Sequence, residues 1–353
     1  MNTVILQKPG EFAFTQTAPP EKPGPGEALV RVHRVGVCGT DYHAFAGRQP
    51  FFSYPRILGH ELGVEVIALG PLDAAGNPQN VKPGDKCSVE PYVSCGQCIA
   101  CRRGRTNCCT QLRVIGVHTD GGMRESFLVP IRKLHPANKL SYDQIALIET
   151  LSIGAHAVER AAVKSDDTVL VIGAGPIGLS VIQFAAAKAR TLVMDVSPTR
   201  LAFCRDKLGI RDTIEVALET AGNPPVDKDA PANALRALTN NENATVVIDA
   251  TGSSKSMCSA LQYVAHAGRL VYVGLFPGEF SLNDPEFHKR ETTLLASRNS
   301  LPDDFTRIIR MIEAGQIDTS PWITHRTPVA SLVETFPTWT APASGVLKAI
   351  IEF

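Results

Sequence analysis

The stretch T-V-L-V-I-G-A-G-P-I-G-L-S-V-I-Q-F-A-A-A-K-A, residues 168–189, limits what this chain can fold into more than any other. A buried-strand pattern over Thr168–Ile172 runs straight into Gly173, Gly175 and Gly178, and an apolar helical pattern follows to Ala189. In that order the glycines have separate tasks. The first permits a tight turn. The second lets the backbone approach a pyrophosphate at the helix N-terminus, and the third lets helix pack closely on strand. A second strand pattern, Thr191–Met194, ends in Asp195. That is about twenty residues past the first glycines, where a carboxylate can hold both ribose hydroxyls of NAD and repel the 2′-phosphate of NADP. Gly173, Gly175, Ile177, Gly178 and Asp195 are therefore expected to bind a dinucleotide, NAD rather than NADP. Arg200 follows and could in principle bind that phosphate; it is read instead as lining the adenine pocket or a solvated helix face.

The alternation continues with strand patterns at Ala244–Asp249 and Arg269–Gly274, a helix near Lys255–His266 between them, and an apolar stretch at Thr292–Ser297. Strands alternating with helices imply a parallel, doubly wound sheet of the Rossmann type. Leu275, just past the Arg269–Gly274 strand, is expected beside the cofactor. P-P-V-D-K-D-A-P (224–231) reads as a surface loop before a short helix. Asp303–Ala314 reads as a helix capped by Asp303 and ended by Gly315. The tail S-G-V-L-K-A-I-I-E-F reads as a terminal strand that returns to the first part of the chain.

At 353 residues, two domains are the natural expectation. Residues 1–90 are short β-branched runs, such as Ala28–Val37 and Gly63–Leu69, separated by turns such as P-G-P-G-E and K-P-G-D. That pattern suggests a small antiparallel barrel. Helical spacing sets in at Ala146, and the boundary is placed near Glu149. The expected organisation is a barrel-type catalytic domain over 1–148 and a nucleotide domain over 149–290. Residues 291–353 then supply its last strand and the returning segment. Formal net charge is zero, so nothing points to nucleic acid or an anionic membrane. The longest apolar runs are strand-length, and the opening M-N-T-V-I-L-Q-K-P-G lacks a basic segment followed by a long apolar run. A cytoplasmic protein is expected.

Nine cysteines, five of them within residues 95–109, argue for metal rather than disulfides in such a chain. Cys95, Cys98 and Cys101 with Cys108 or Cys109 offer four thiolates, the closed tetrahedral set of a structural zinc. Such a site turns metal-binding free energy into folding free energy. An iron–sulfur cluster is the competing reading. A second candidate centre lies upstream, where C-G-T-D-Y-H is followed by L-G-H-E. Cys38, His60 and Glu61 supply a thiolate, an imidazole and a carboxylate, a set that suits zinc. Alone, Cys38 would pass for a buried core cysteine. Thr40 and His43 are placed to pass a proton between a buried oxygen and solvent. Glu149 either faces this centre or is a first-turn carboxylate stabilised by the helix dipole.

Together these motifs resemble the zinc-dependent medium-chain dehydrogenases, over essentially the whole chain and in the family's order. The polyol (sorbitol-type) and threonine dehydrogenase branches are the most similar. The resemblance implies a GroES-like barrel domain plus a Rossmann domain, one catalytic and one structural zinc, and NAD. It implies Cys38 and His60 as catalytic ligands, Glu149 at the third-ligand position, Glu61 as a nearby or exchanging ligand, and Thr40 and His43 as the proton relay. It aligns Cys109, not Cys108, as the fourth structural ligand. It places Arg298, in A-S-R-N-S, near cofactor and substrate; the competing reading is a surface ion pair. It also implies a small alcohol or polyol substrate and a homo-oligomer, dimer or tetramer. The expected reaction is oxidation of a secondary alcohol of a polyol, sugar or sugar acid to the ketone. The metal favours the substrate's alkoxide, which gives hydride to the nicotinamide. Threonine 3-dehydrogenase and a general alcohol dehydrogenase are the alternatives within this class; a zinc- and nucleotide-binding scaffold is the alternative outside it.

Overall fold

The computed structural model describes residues 1–49, 52–73, 80–219, 226–341 and 344–353. The chain divides into two units, Met1–Ser152 with Leu301–Phe353, and Ile153–Ser300.

In the first unit the long strands Glu27–Val37 and Glu61–Leu69 pair antiparallel at the middle of a seven-stranded sheet. Its order is Ile323–Pro328, Lys348–Glu352, Glu27–Val37, Glu61–Leu69, Lys86–Val89, Leu134–Pro136, with Ser126–Pro130 also paired to Glu27–Val37. The alternation in Glu27–Val37 sends Val30, Val32, Val35 and Val37 into the core with Leu62, Val64 and Val66 from the neighbouring strand. The terminal strand Lys348–Glu352 lies antiparallel to Glu27–Val37, with Ala349 opposite Val37. One pair departs from the antiparallel pattern expected of the barrel, because Ile323–Pro328 runs parallel to Lys348–Glu352. The short helix Leu332–Trp339 fills the connection between them, so the chain crosses over instead of turning back as a hairpin.

The second unit is a six-stranded parallel sheet in the order Thr213–Glu215, Arg190–Asp195, Thr168–Ile172, Ala244–Asp249, Val264–Tyr272, Thr293–Ala296. This is the 3-2-1-4-5-6 order of the Rossmann fold. Val169, Leu170, Val171 and Ile172 are all buried, as expected of a strand covered on both faces. Gly173 leaves that strand at φ +94°, which an L side chain rarely adopts. A Cβ on Gly178 would lie 1.7 Å from the Gly173 carbonyl oxygen, so helix and turn can pack this closely only without one. Pro176 occupies the first turn of the helix Pro176–Ala186, where its missing N–H costs nothing.

Some sequence expectations shift. The helix near Lys255–His266 is the short Ser254–Ser259, continued by a single 3₁₀ turn, Ala260–Tyr263, before the next strand starts at Val264. The helix expected over Asp303–Ala314 is Pro302–Glu313. Pro302 takes its first position, so Asp304 and not Asp303 reaches back to the helix start, accepting from Leu301 N–H at 2.9 Å. The loop read at 224–231 lies partly outside the described residues; the helix after it is Ala230–Leu238. Among the described residues no helix is long and apolar enough to cross a membrane.

Candidate active site

Cys38 ends the strand Glu27–Val37 and caps the short helix Gly39–Phe45. Its Sγ accepts from Thr40 N–H at 3.2 Å, and its own N–H donates to Asp41 Oδ2 at 3.0 Å. This local lock fixes the thiol toward His60, whose Nε2 lies 3.0 Å from Cys38 Sγ. His60 stands just before the strand Glu61–Leu69. The register that sets Gly36 opposite Glu61 brings the two motifs together. Asp41 and His60 are buried, with Asp41 Oδ1 and His60 Nδ1 3.8 Å apart and neither atom hydrogen-bonded among the described residues.

Glu149 and Glu61 approach from different elements. Glu149 sits in the first turn of the helix Ile148–Arg160, buried, and accepts a hydrogen bond from Tyr92 Oη. Glu61 is fully buried. It accepts from Thr150 Oγ1 at 2.7 Å, and Lys348 Nζ lies 2.5 Å from both of its carboxylate oxygens. Lys348 also donates to Val37 O at 3.3 Å. Potential ligand atoms of Cys38, Asp41 and His60 lie within 4.8 Å of one another, and so do those of His60, Glu61 and Glu149. His60 is common to both groups. The donors are a thiolate, an imidazole and carboxylates, with buried polar atoms left unpaired beside them, and that set fits a zinc ion.

Burial acts on these groups first. It raises the carboxyl of Glu149, with the nearby Glu61 adding to the effect and His60, Tyr92 and Lys348 opposing it. It raises Asp41 against the pull of His60 and the Cys38 N–H. On His60 burial works downward, but Cys38, Asp41 and Glu149 outweigh it and hold the imidazole well above its usual range. Thr40 is half-buried and His43 exposed, one helical turn apart on Gly39–Phe45. Partial burial, with the charge of Arg48, lowers the His43 imidazole.

The cysteine lobe forms separately. Ligand atoms of Cys95, Cys98, Cys101 and Cys109 lie within 4.8 Å of one another. Cys108 is exposed and outside the group. Backbone N–H groups of Cys101 and Thr110 bring the Cys98 thiol down to about 5, so it is a thiolate near neutrality, the form that binds metal. Cys95 is lowered by the N–H groups of Gln97 and Cys98. Four convergent sulfurs fit a closed structural zinc.

In the second unit, Asp195 ends its strand buried beneath the glycine turn. Its Oδ2 accepts from Ala174 N–H at 2.5 Å and its Oδ1 from Ser197 N–H at 2.7 Å. Arg200 Nη1 would lie 3.8 Å from a Cβ on Gly175. Ile177 is half-buried in the first helical turn, Leu275 is exposed with its backbone against Gly252, and Arg298 is exposed after the last strand.

Residues 24–139 match the alcohol dehydrogenase GroES-like domain, and residues 176–314 match the zinc-binding dehydrogenase domain. L-Galactonate-5-dehydrogenase of Escherichia coli (strain K12) is 43% identical, over 100% of this chain and 99% of its own. The chain belongs to the zinc-binding alcohol dehydrogenase family. It is an oxidoreductase built from a GroES-like and a Rossmann domain. A second relative of this zinc-binding dehydrogenase, 2-dehydro-3-deoxy-L-galactonate 5-dehydrogenase of Pseudoalteromonas atlantica, is 31% identical over 94% of this chain and 92% of its own. A solved structure described as a short chain alcohol dehydrogenase from E. coli CFT073 complexed with NADH superposes with a TM-score of 0.87. It is 27% identical and covers 100% of this chain and 99% of that one.

Four residues that contact the candidate centre have no assigned role in the sequence reading. Asp41 was in view inside C-G-T-D-Y-H without a role. Lys348 carried a signal, a lone charge in the apolar run V-L-K-A-I-I. Tyr92 and Thr150 carried none, because only the fold brings them to Glu149 and Glu61.

Proposed function

We propose that this dehydrogenase oxidises a secondary hydroxyl of a sugar acid or related polyol to the ketone, with NAD as hydride acceptor. The observation that carries the reading is the buried His60, shared by two groups of convergent ligand atoms, one with Cys38 and Asp41 and the other with Glu61 and Glu149, a mixed sulfur, nitrogen and oxygen set in which Lys348 engages Glu61 while Glu149 accepts from Tyr92. The named activities of the two sugar-acid relatives support the substrate class. In this proposal Cys38, His60 and Glu149 hold the catalytic zinc. Glu61, engaged by Lys348, balances charge and is the ligand able to exchange in. A zinc ion held there supplies Lewis acidity toward a substrate oxygen.

The remaining roles fall to the chain's own side chains. Thr40 stands between the half-buried Cys38 and His43, and hands the substrate proton outward. The lowered His43 imidazole is neutral near pH 7 and so is able to accept it. Gly173, Gly175 and Gly178 admit the pyrophosphate, and Ile177 and Leu275 flank the dinucleotide. Asp195 receives the ribose hydroxyls and disfavours a 2′-phosphate, with Arg200 beside the adenosine. Arg298 is proposed near the reacting end of the cofactor. Cys95, Cys98, Cys101 and Cys109 hold the structural zinc. A cytoplasmic location and assembly into dimers or tetramers belong to the same proposal; light scattering tests the assembly.

The test is NADH formation across a panel of aldonates, polyols, threonine and simple alcohols. Turnover is expected on one or more aldonates or polyols with a secondary hydroxyl. Activity restricted to simple primary alcohols, or to threonine, overturns the substrate class.

A further inference from the structure

We infer that Tyr92 is a positioning residue for Glu149, and that the cysteine lobe serves the chemistry by holding the ribbon on which Tyr92 stands. The inference rests on the proposal that Glu149 is a metal ligand. Tyr92 is 3% exposed, and its hydroxyl donates to Glu149 Oε1 in a buried contact. A carboxylate with one oxygen held this way presents the other in a fixed direction. Outer partners of metal ligands are known to act by fixing ligand orientation.

The ribbon gives the hydroxyl its precision. Tyr92–Val93 forms a two-stranded antiparallel pair with Arg113–Val114, Tyr92 opposite Val114. Ile115 N–H donates to Pro91 O at 3.0 Å, which closes one end of the pair. The other end runs directly into the lobe. Cys95 follows on one strand, Cys109 precedes on the other, and Cys95 N–H donates to Cys109 Sγ at 3.3 Å. Gln111 N–H donates to the same sulfur at 3.3 Å. A pair of two residues per strand is too short to hold itself in register. Its register is fixed by the sulfurs on one side and the sheet on the other. Glu149 thus receives its hydrogen bond from a segment that the lobe clamps, although the two centres share no residue.

The experiment uses the full-length enzyme loaded with zinc, and reads metal release to a chromogenic chelator. Cys38→Ser identifies which phase belongs to the catalytic centre, and Glu149→Gln tests the underlying ligand assignment. Tyr92→Phe keeps the ring and removes only the hydroxyl. It is expected to retain its fold and its lobe ion, while the catalytic phase of release speeds up roughly 10- to 100-fold. In the cobalt-substituted enzyme the visible absorption of the catalytic centre should also change. Unaltered release and an unaltered cobalt spectrum in Tyr92→Phe, with Glu149→Gln losing the ion, overturn the role of Tyr92. A Glu149→Gln enzyme that keeps the catalytic ion overturns the ligand assignment instead. Faster release of the lobe ion alone in Tyr92→Phe assigns the tyrosine to the lobe and also overturns the inference.

Discussion

Lys348 and Glu61 form a fully buried ion pair that reaches across the strand Glu27–Val37, from the last strand of the chain to the strand Glu61–Leu69. The ammonium meets both carboxylate oxygens at 2.5 Å. A buried pair of this kind is weak evidence for stability in itself, but removal of one partner leaves the other charge without compensation.

Lys348→Met is therefore expected to destabilise the first unit by about 3–5 kcal/mol, as breaking buried pairs does. Glu61→Gln combined with Lys348→Met should recover part of the loss, since neither charge then remains. Urea unfolding of the two variants measures this. Equal stability of single and double variants would show that the pair is not coupled.

The two glutamates should separate in their effects. Glu149→Gln is expected to lose the catalytic ion, and with it kcat/KM by roughly a hundredfold or more. A Lewis acid is worth several kcal/mol at the transition state, and about 1.4 kcal/mol is tenfold. Glu61→Gln should keep that ion and instead lose stability through unpaired Lys348. Metal analysis alongside kinetics decides, and the opposite pattern would assign the ligand to Glu61.

Cys108 and Cys109 are adjacent in sequence yet differ in place. Cys109→Ser should abolish the lobe's ion and lower Tm by well over 2–4 °C, the shift that about 1 kcal/mol produces in a domain of this size. Cys108→Ser, at an exposed thiol outside the group, should leave both metal content and Tm unchanged. Metal analysis and thermal scanning of the pair test this directly.

Asp195 supports the glycine turn through Ala174 N–H and Ser197 N–H, beside the ribose contact proposed for it. Asp195→Ser is expected to raise the KM for NAD about tenfold or more, with hydrogen bonds to a charged group worth roughly 1.5–3 kcal/mol each. The preference for NAD over NADP should shrink or reverse, because the repulsion of the 2′-phosphate goes with the carboxylate. Steady-state kinetics with both cofactors measures it.

One pH effect involves none of the candidate metal ligands. Burial works to raise Asp167, but the N–H of Lys164, the hydroxyl of Thr245 and the guanidinium of Arg269 outweigh it and hold the carboxyl below its ordinary value. Arg269 Nη2 lies 2.5 Å from Asp167 Oδ1. A depressed folded-state value means that the stabilisation is fully present above the unfolded value, about 3.9, and is lost as pH falls through the lower folded value. The Arg269→Leu variant should lie below wild type in stability at neutral pH and converge on it in acid. Denaturation midpoints across pH 2–7 read the convergence.

Much of this could be seen in the sequence because it is local. The strand–glycine–helix pattern at 168–189 implied the Rossmann unit, since each glycine is needed by the geometry of a single turn. Cys95, Cys98 and Cys101 of the lobe and the segment from Cys38 to His43 were legible for the same reason, while spacing left Cys108 and Cys109 open as the fourth sulfur and the fold places Cys109 in the group. What the fold alone decided is long-range. Cys38 meets His60 through strand register, Glu149 arrives from a helix, and Tyr92 is brought to Glu149 by a ribbon only two residues long on each side. Lys348 comes from the last strand, so far along the chain that no spacing could announce it. In the proposed ligand set, the buried glutamate left for a metal is the one that this ammonium does not engage, because a carboxylate out of water is held by its nearest opposite charge.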